Sequence, residues 1–300
     1  MKVQPLPPAV TAPNMTSENY FGSFVEANTR AILHRLDGPQ GFFARAEAGG
    51  KMAGLSPAMA QKIEQIHDVD LAKIGITKRE IGLVVASFGR GQERSRLTQF
   101  NIPGFITVSN GQIYTPHATL RISHRADTGE AVVPSGRFNR DDGVLWLIPG
   151  KLTELFPEPT QRRIAALWGL GHEFSHSIIG DSVSQAFAGL GRPGAPIVLR
   201  DGTATDTTTY LRTRFASSFP RIPLTQYSAS YRGPHHEMPD PGSLLFAKAI
   251  GEEACETAAA TIVGFAPTPG RNPAEALARP FEGREAFQRD VTQFLQAGAA

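Results

Sequence analysis

Apolar positions in the first third of the chain recur at the spacing of amphipathic helices. This spacing predicts three helices, over about 17–36, 57–67 and 77–89. Ser56 followed by Pro57 is typical of a helix N-terminus, with the serine as cap and the proline in the first turn. Thr77 and Glu80 have the spacing of a capping box. The first third is therefore predicted to be mainly helical.

In the middle third the pattern changes to that of short β-strands. Residues 105–109 and 112–115 flank Asn110-Gly111, the dipeptide that type I′ hairpin turns favour. Further strands are predicted over 119–123, 131–133 and 143–148, which are separated by turn-forming residues. We expect these strands to form an antiparallel sheet in which 143–148 is an edge strand.

Two long helices are predicted after the strands, from Pro159/Thr160 to Ile179 and over about 243–263. The interval between these helices is too long to lack secondary structure in a compact domain. We therefore expect a hairpin there, pairing 197–199 with 208–212. A final helix is predicted over 284–296. The order of helices, sheet and helices predicts an α+β fold.

Composition narrows the classes of function. In 300 residues, 41% are hydrophobic, and 30 Lys and Arg balance 28 Asp and Glu, giving a formal net charge of +2. The basic residues are scattered, so we expect no nucleic-acid partner. The most apolar stretch, within 243–265, is interrupted by charged residues, and we expect no membrane span. A single cysteine, Cys255, excludes an internal disulfide.

The N-terminal 15 residues are interrupted by prolines and lack the apolar region of a secretory signal peptide. We expect residues 1–15 to be a disordered leader before one domain over 16–300. Two locations fit this leader: the cytoplasm, or secretion without a signal peptide, which includes delivery into a host cell.

The strongest chemical signal is His172-Glu173-x-x-His176, inside the helix predicted up to Ile179. Residues four apart lie on one helix face, so both imidazoles can reach one metal ion at about 2.0–2.1 Å. Glu173 is rotated by about 100° from His172, which places it beside the pair as a non-ligand. There it can take a proton from a water molecule. The alternative is coincidence, expected in roughly 1% of chains of this composition, with both histidines in a core.

A third ligand is predicted on the helix over 243–263. Its acids, Glu252, Glu253 and Glu256, are costly in an apolar helix unless a positive group meets them. We predict Glu252 as the ligand and Glu256, one turn later, as acceptor of the Nδ1–H of a ligand histidine. Glu253 remains an alternative ligand, and a solvated helix face remains an alternative explanation of all three acids.

These motifs resemble the zincin metallopeptidases, and among them the gluzincins, over about residues 143–265. The resemblance implies an antiparallel sheet followed by an active-site helix and a glutamate-bearing helix, bound Zn²⁺, and hydrolysis of a protein or peptide substrate. It also implies that the edge strand pairs with the extended substrate. The gluzincin motif Glu-x-x-x-Asp has Glu256 in place of the aspartate. The metzincin extension is absent, since Ile179 and Ser182 replace its glycine and histidine.

The resemblance further implies a tyrosine or histidine that stabilises the oxyanion. The candidates lie between the two long helices: Tyr227, Tyr231, His235 and His236. Of these we name Tyr231 and His235 as catalytic candidates, while His235 or His236 stays open as the third ligand. Chain size and cysteine poverty are similar to those of NleD-like bacterial effector peptidases. The competing hypothesis is a non-catalytic, zinc-stabilised host-interaction or structural protein with a fourth protein ligand.

Overall fold

The computed structural model describes residues 17–124, 129, 131–179, 196–198, 204–206, 252, 255 and 258–264. Its helices are α1 (Ser17–Asp37), α2 (Phe42–Ala48), α3 (Pro57–Glu64), α4 (Asp68–Ile74), α5 (Lys78–Ala86), α6 (Pro149–Leu155) and α7 (Pro159–Ile179). Its strands are β1 (Gln99–Asn101), β2 (Thr107–Ser109), β3 (Gln112–Tyr114), β4 (Thr119–Arg121), β5 (Ser123–His124), β6 (Ala131–Val132), β7 (Gly136–Asn139), β8 (Val144–Leu147), β9 (Pro196–Val198) and β10 (Ala204–Asp206). Helices and small sheets together confirm the α+β class.

Local capping signals begin the helices where the sequence predicts them. The Ser56 hydroxyl accepts the Met59 N–H at the start of α3. Thr77 and Glu80 form both hydrogen bonds of the capping box at the start of α5. The ends differ from prediction: α3 stops at Glu64 because a separate helix, α4, begins at Asp68, and α5 passes into a 3₁₀ segment over 89–94.

The hairpin of β2 and β3 is confirmed in detail. Asn110 and Gly111 have φ values of 50° and 72°, both in the left-handed region that a type I′ turn requires. Val108 lies opposite Ile113, and β3 pairs in turn with β4. The turn dipeptide therefore fixes the register of β2 against β3.

The prediction of one antiparallel sheet is wrong. The strands form separate small sheets, and the sheet nearest to α7 has the order β1-β8-β7, with β1 parallel and β7 antiparallel to β8. The strand predicted at the edge, 143–148, contains β8 and is the central strand. Its neighbours β1 and β7 each carry one apolar residue, a phenylalanine, so hydrophobic periodicity does not mark them as strands.

The hairpin predicted after α7 is confirmed for its first strand only. β9 pairs antiparallel with β10, and the predicted partner 208–212 lies outside the described residues. The turn-forming dipeptide Asp201-Gly202 separates β9 from β10 in sequence and favours this nearer pairing. The predicted leader 1–15 and the final helix 284–296 also lie outside the described residues.

Strand β8 separates two apolar clusters. Leu145 and Leu147 face the main core, which the helices share, while Trp146 faces a second cluster with the β2–β4 sheet. All four residues of β8 are buried. Helix α7 packs against β7 and β8 on one side and against α1 and α5 on others. The helix that carries the histidine motif therefore lies at the centre of the described fold.

No helix in the described part of the chain combines the length and hydropathy that a membrane crossing requires.

The N-terminal half of α7 is held by Arg163. Its guanidinium donates to both carboxylate oxygens of Asp37, at 2.8 and 2.9 Å, and to Oε1 of Glu80. It also lies 5.7 Å from the centre of the Phe43 ring. Burial lowers the pKa of Arg163, but hydrogen bonds with Asp37 and Glu80 outweigh this effect and hold its pKa above the usual value. One side chain thus connects α7 to α1, α2 and α5.

Replacing Arg163 with methionine is expected to lower the free energy of unfolding by about 2 kcal/mol, between the values for exposed and buried pairs. The change leaves the Glu80 and Asp37 carboxylates close together without their shared cation. Urea unfolding followed by circular dichroism measures the free energy of unfolding. Arg79→Met is the matched control, because Arg79 forms an exposed pair with Glu47, at 2.8 Å. Equal losses in the two variants would contradict the prediction.

Candidate metal centre

His172 and His176 lie one turn apart on α7, with their rings on the same face as the sequence predicts. Their exposed fractions are 5% and 8%, so both imidazoles are removed from bulk solvent. The ring centres are 4.8 Å apart and the two Nε2 atoms 3.0 Å apart. Both rings therefore direct the same nitrogen to one point.

Glu252 contributes a third atom at this point. Its Oε2 lies 3.0 Å from Nε2 of His172 and 3.1 Å from Nε2 of His176. The three atoms form a nearly equilateral triangle, although Glu252 is 76 to 80 residues away in sequence. The structure thus brings together the three side chains that the sequence predicts as metal ligands.

Hydrogen bonds alone do not account for this triangle. An imidazole Nε2 either donates or accepts one hydrogen bond, and a carboxylate only accepts. If both nitrogens donate to Glu252, their hydrogens face each other, and if only one donates, two lone pairs face each other. One divalent cation satisfies all three atoms. A tetrahedral ion about 2.0–2.1 Å from each ligand spaces them by roughly 3.3–3.4 Å, close to the distances observed.

The two histidines keep the Glu252 carboxyl ionised. Burial by itself raises the pKa of this carboxyl, but the charge of His176 and hydrogen bonds with His172 and His176 outweigh it. The pKa of Glu252 therefore lies well below its usual range. Two imidazoles and one ionised carboxylate match a donor set found in catalytic zinc sites, so these residues can hold zinc.

Glu173 lies beside the triangle and not within it. Its Oε2 accepts the backbone N–H of Phe138 on β7, at 2.6 Å. A Cβ atom at Gly136 of the same strand would lie 3.4 Å from Cγ of Glu173, so this glycine leaves room for the glutamate. Sequence reasoning placed Glu173 next to the histidines but missed its contact with β7, because the strand itself was not predicted.

The end of α7 is held by contacts of Ser177, directly after His176. The Ser177 carbonyl accepts the Arg96 N–H at 3.0 Å, and its hydroxyl lies 2.6 Å from that of Ser95. Within the helix, the Ser175 hydroxyl donates to the Gly171 carbonyl. The contacts of Ser177 fix the backbone directly after His176, whereas the Ser175 hydrogen bond is local to the helix.

The other predicted site residues lie outside the described residues. They are the oxyanion candidates Tyr227, Tyr231, His235 and His236, the alternative ligand Glu253, and the predicted outer acceptor Glu256. Their roles stay predictions from the sequence.

Comparisons with known proteins assign no function to this chain, so the geometry of the site is the basis for the proposed function. No protein-family model, curated protein or solved structure matches this chain. The function is therefore argued from the contacts of His172, Glu173, His176 and Glu252.

Proposed function

We propose that the chain is a zinc metalloendopeptidase of the zincin type, hydrolysing peptide bonds of a protein substrate. One observation carries the proposal: His172, His176 and Glu252 converge at 3.0–3.1 Å, and Glu173 directly follows His172 on α7. The three converging residues would hold the ion, and Glu173 would serve as general base.

When bound, zinc would activate a water molecule and polarise the scissile carbonyl. Glu173 takes a proton from that water as its oxygen bonds to the carbonyl carbon. The same carboxyl then gives the proton to the amine as the carbon–nitrogen bond breaks. The hydrogen bond from Phe138 to Glu173 orients the carboxylate for both transfers.

The strand that would receive an extended substrate is β7. The strand assigned this role from sequence, 143–148, contains β8, which has partners on both sides. In the described part of the chain, no strand pairs with the outer edge of β7. Phe138 directs its N–H toward that edge, where Glu173 lies. A peptide that pairs with main-chain groups of β7 other than the Phe138 N–H, which Glu173 already accepts, would pass beside the general base.

A catalytically silent zinc would need a fourth protein ligand in place of water. Among the described residues, no fourth His, Cys, Asp or Glu joins the group of three. His235 and His236, the fourth-ligand candidates from the sequence, lie outside the described residues, so peptidase activity of the zinc-loaded chain decides between the two functions.

The first test of the proposal is the metal content of the unmodified chain. After zinc is supplied and excess removed, elemental analysis is expected to give about one zinc per chain. Treatment with 1,10-phenanthroline should remove both the zinc and hydrolysis of fluorescent casein, and added zinc should restore both. His117→Ala, an exposed histidine beside β4, is the control and should keep its metal. A wild-type chain without zinc after this treatment refutes the proposal.

A further inference from the structure

Helix α7 lies close, at Gly171, to the 252–262 segment, in which residues 252, 255 and 258–262 are described and helical. A Cβ atom at this position would overlap Cδ1 of Ile262 and lie 3.4 Å from Cα of Ala259. The overlap means that alanine at 171 requires a neighbour to move. Gly171 directly precedes the ligand His172, so the contact lies next to the metal centre.

The same two elements supply all three donor atoms. Glu252, Ala259 and Ile262 follow one another at helical spacings of seven and three residues and share one face. Gly171 meets the 259–262 end of this face, and His176 meets Glu252 at its other end. His172, the residue after Gly171, also contacts Glu252, so the separation of the two elements at Gly171 bears directly on how far Glu252 reaches.

The surroundings leave little freedom to relax an added methyl group. Ala259 and Ile262 are fully buried in the main core. On the other side of α7, a Cβ at Gly169 would lie 3.3 Å from Cδ2 of Leu147, so α7 also packs closely against β8 there.

The far end of the segment is held separately. Arg35 of α1 donates to the carbonyl of Gly264, and Gly264, at φ +72°, packs directly against the Arg35 side chain. A displacement at Gly171 is therefore transmitted toward Glu252, away from this fixed end.

We infer that Gly171 is a positioning residue for the metal site. Its missing side chain lets α7 and the 252–262 segment pack closely enough for one carboxylate to contact both histidines. The inference rests on the proposed zinc site and adds a residue that binds no metal but sets the affinity.

The test is the zinc affinity of Gly171→Ala, measured by competition with a chromophoric chelator. We expect affinity to fall by about 10–100-fold, the cost of disturbing groups that orient metal ligands. The visible absorption of bound Co²⁺ should also change, which general destabilisation alone would not cause. The loss would oppose helix propensity, since alanine is the better helix former. Gly150→Ala, at an exposed helical position with open space around its Cβ, is the control and should bind as wild type.

A second variant separates packing from other effects. Ile262→Val removes the Cδ1 methyl that alanine at 171 would overlap. Gly171→Ala combined with Ile262→Val should return the affinity to within about twofold of wild type. If Gly171→Ala alone does not fold, the double variant carries the test, because it must fold and bind zinc.

The outcomes distinguish the inference from the proposed function. Wild-type affinity and an unchanged Co²⁺ spectrum in Gly171→Ala overturn the inference and leave the zinc site standing. A loss of affinity that Ile262→Val does not reverse also overturns it. A wild-type chain that binds no zinc refutes the proposed function, and the positioning role with it.

Discussion

Replacing Glu173 with glutamine is expected to slow peptide hydrolysis by about 10²–10⁴-fold, the usual contribution of a general base, while zinc stays bound. Glutamine has the same shape, and its amide oxygen can still accept the Phe138 N–H that Oε2 now accepts at 2.6 Å. It cannot take a proton from water. Glu173 is not one of the three converging side chains, so metal content should remain near one per chain.

The measurement combines initial rates on fluorescent casein with elemental analysis of the same sample. Glu154→Gln is the control, because this exposed glutamate of α6 forms a salt bridge with Lys151 of the same helix. It should leave both rate and zinc unchanged. Equal rates in wild type and Glu173→Gln would contradict the assignment of the base. Loss of zinc in Glu173→Gln would instead make Glu173 a ligand.

Replacing His176 with alanine is expected to weaken zinc binding by more than about 100-fold, since even groups that only orient ligands cost about 10–100-fold. The change removes one corner of the triangle and leaves Glu252 with one imidazole partner. Hydrolysis should fall with the bound metal at limiting zinc.

Ser175→Ala is the matched control for this second variant. Ser175 is fully buried on the same helix, next to His176, but its hydroxyl donates only within the helix, to the Gly171 carbonyl at 2.6 Å. It should therefore retain zinc. Competition titration measures the zinc affinity of both variants. Wild-type affinity in His176→Ala would exclude this histidine as a ligand.

Elements whose signals are local agree with the sequence. The capping serine and capping box begin α3 and α5, and Asn110-Gly111 forms the predicted turn. Each depends on residues within about four positions, which sequence shows directly. The two histidines of α7 belong to the same class, because helical spacing alone places them on one face.

Elements that depend on distant partners do not follow from the pattern. Strand β1 pairs with β8 across more than forty residues, and nothing in Gln99–Asn101 indicates that partner. For this reason the strand over 143–148, which was predicted at an edge, is central, and β7 lies at an edge. The contact of Glu173 with Phe138 depends on the same pairing and was missed with it.

The candidate site depends both on local sequence signals and on contacts between distant residues. The sequence favoured Glu252 because an acid in an apolar helix needs a positive neighbour, and the structure places it against both histidines. Its approach depends on how closely two helical segments pack at Gly171, which involves Ala259 and Ile262. Such packing is set by the shape of the whole core and not by local sequence.

The burial of β8 has an optical consequence. The chain has two tryptophans, and both lie in elements that support the metal centre: Trp146 in β8, fully buried, and Trp168 in α7, 9% exposed and one turn before His172. Tryptophan fluorescence, excited at a wavelength that tyrosine does not absorb, therefore originates from β8 and α7. A single unlabelled sample can report, in its emission, the loss of this scaffold and, under the proposed function, the binding of zinc one turn from Trp168.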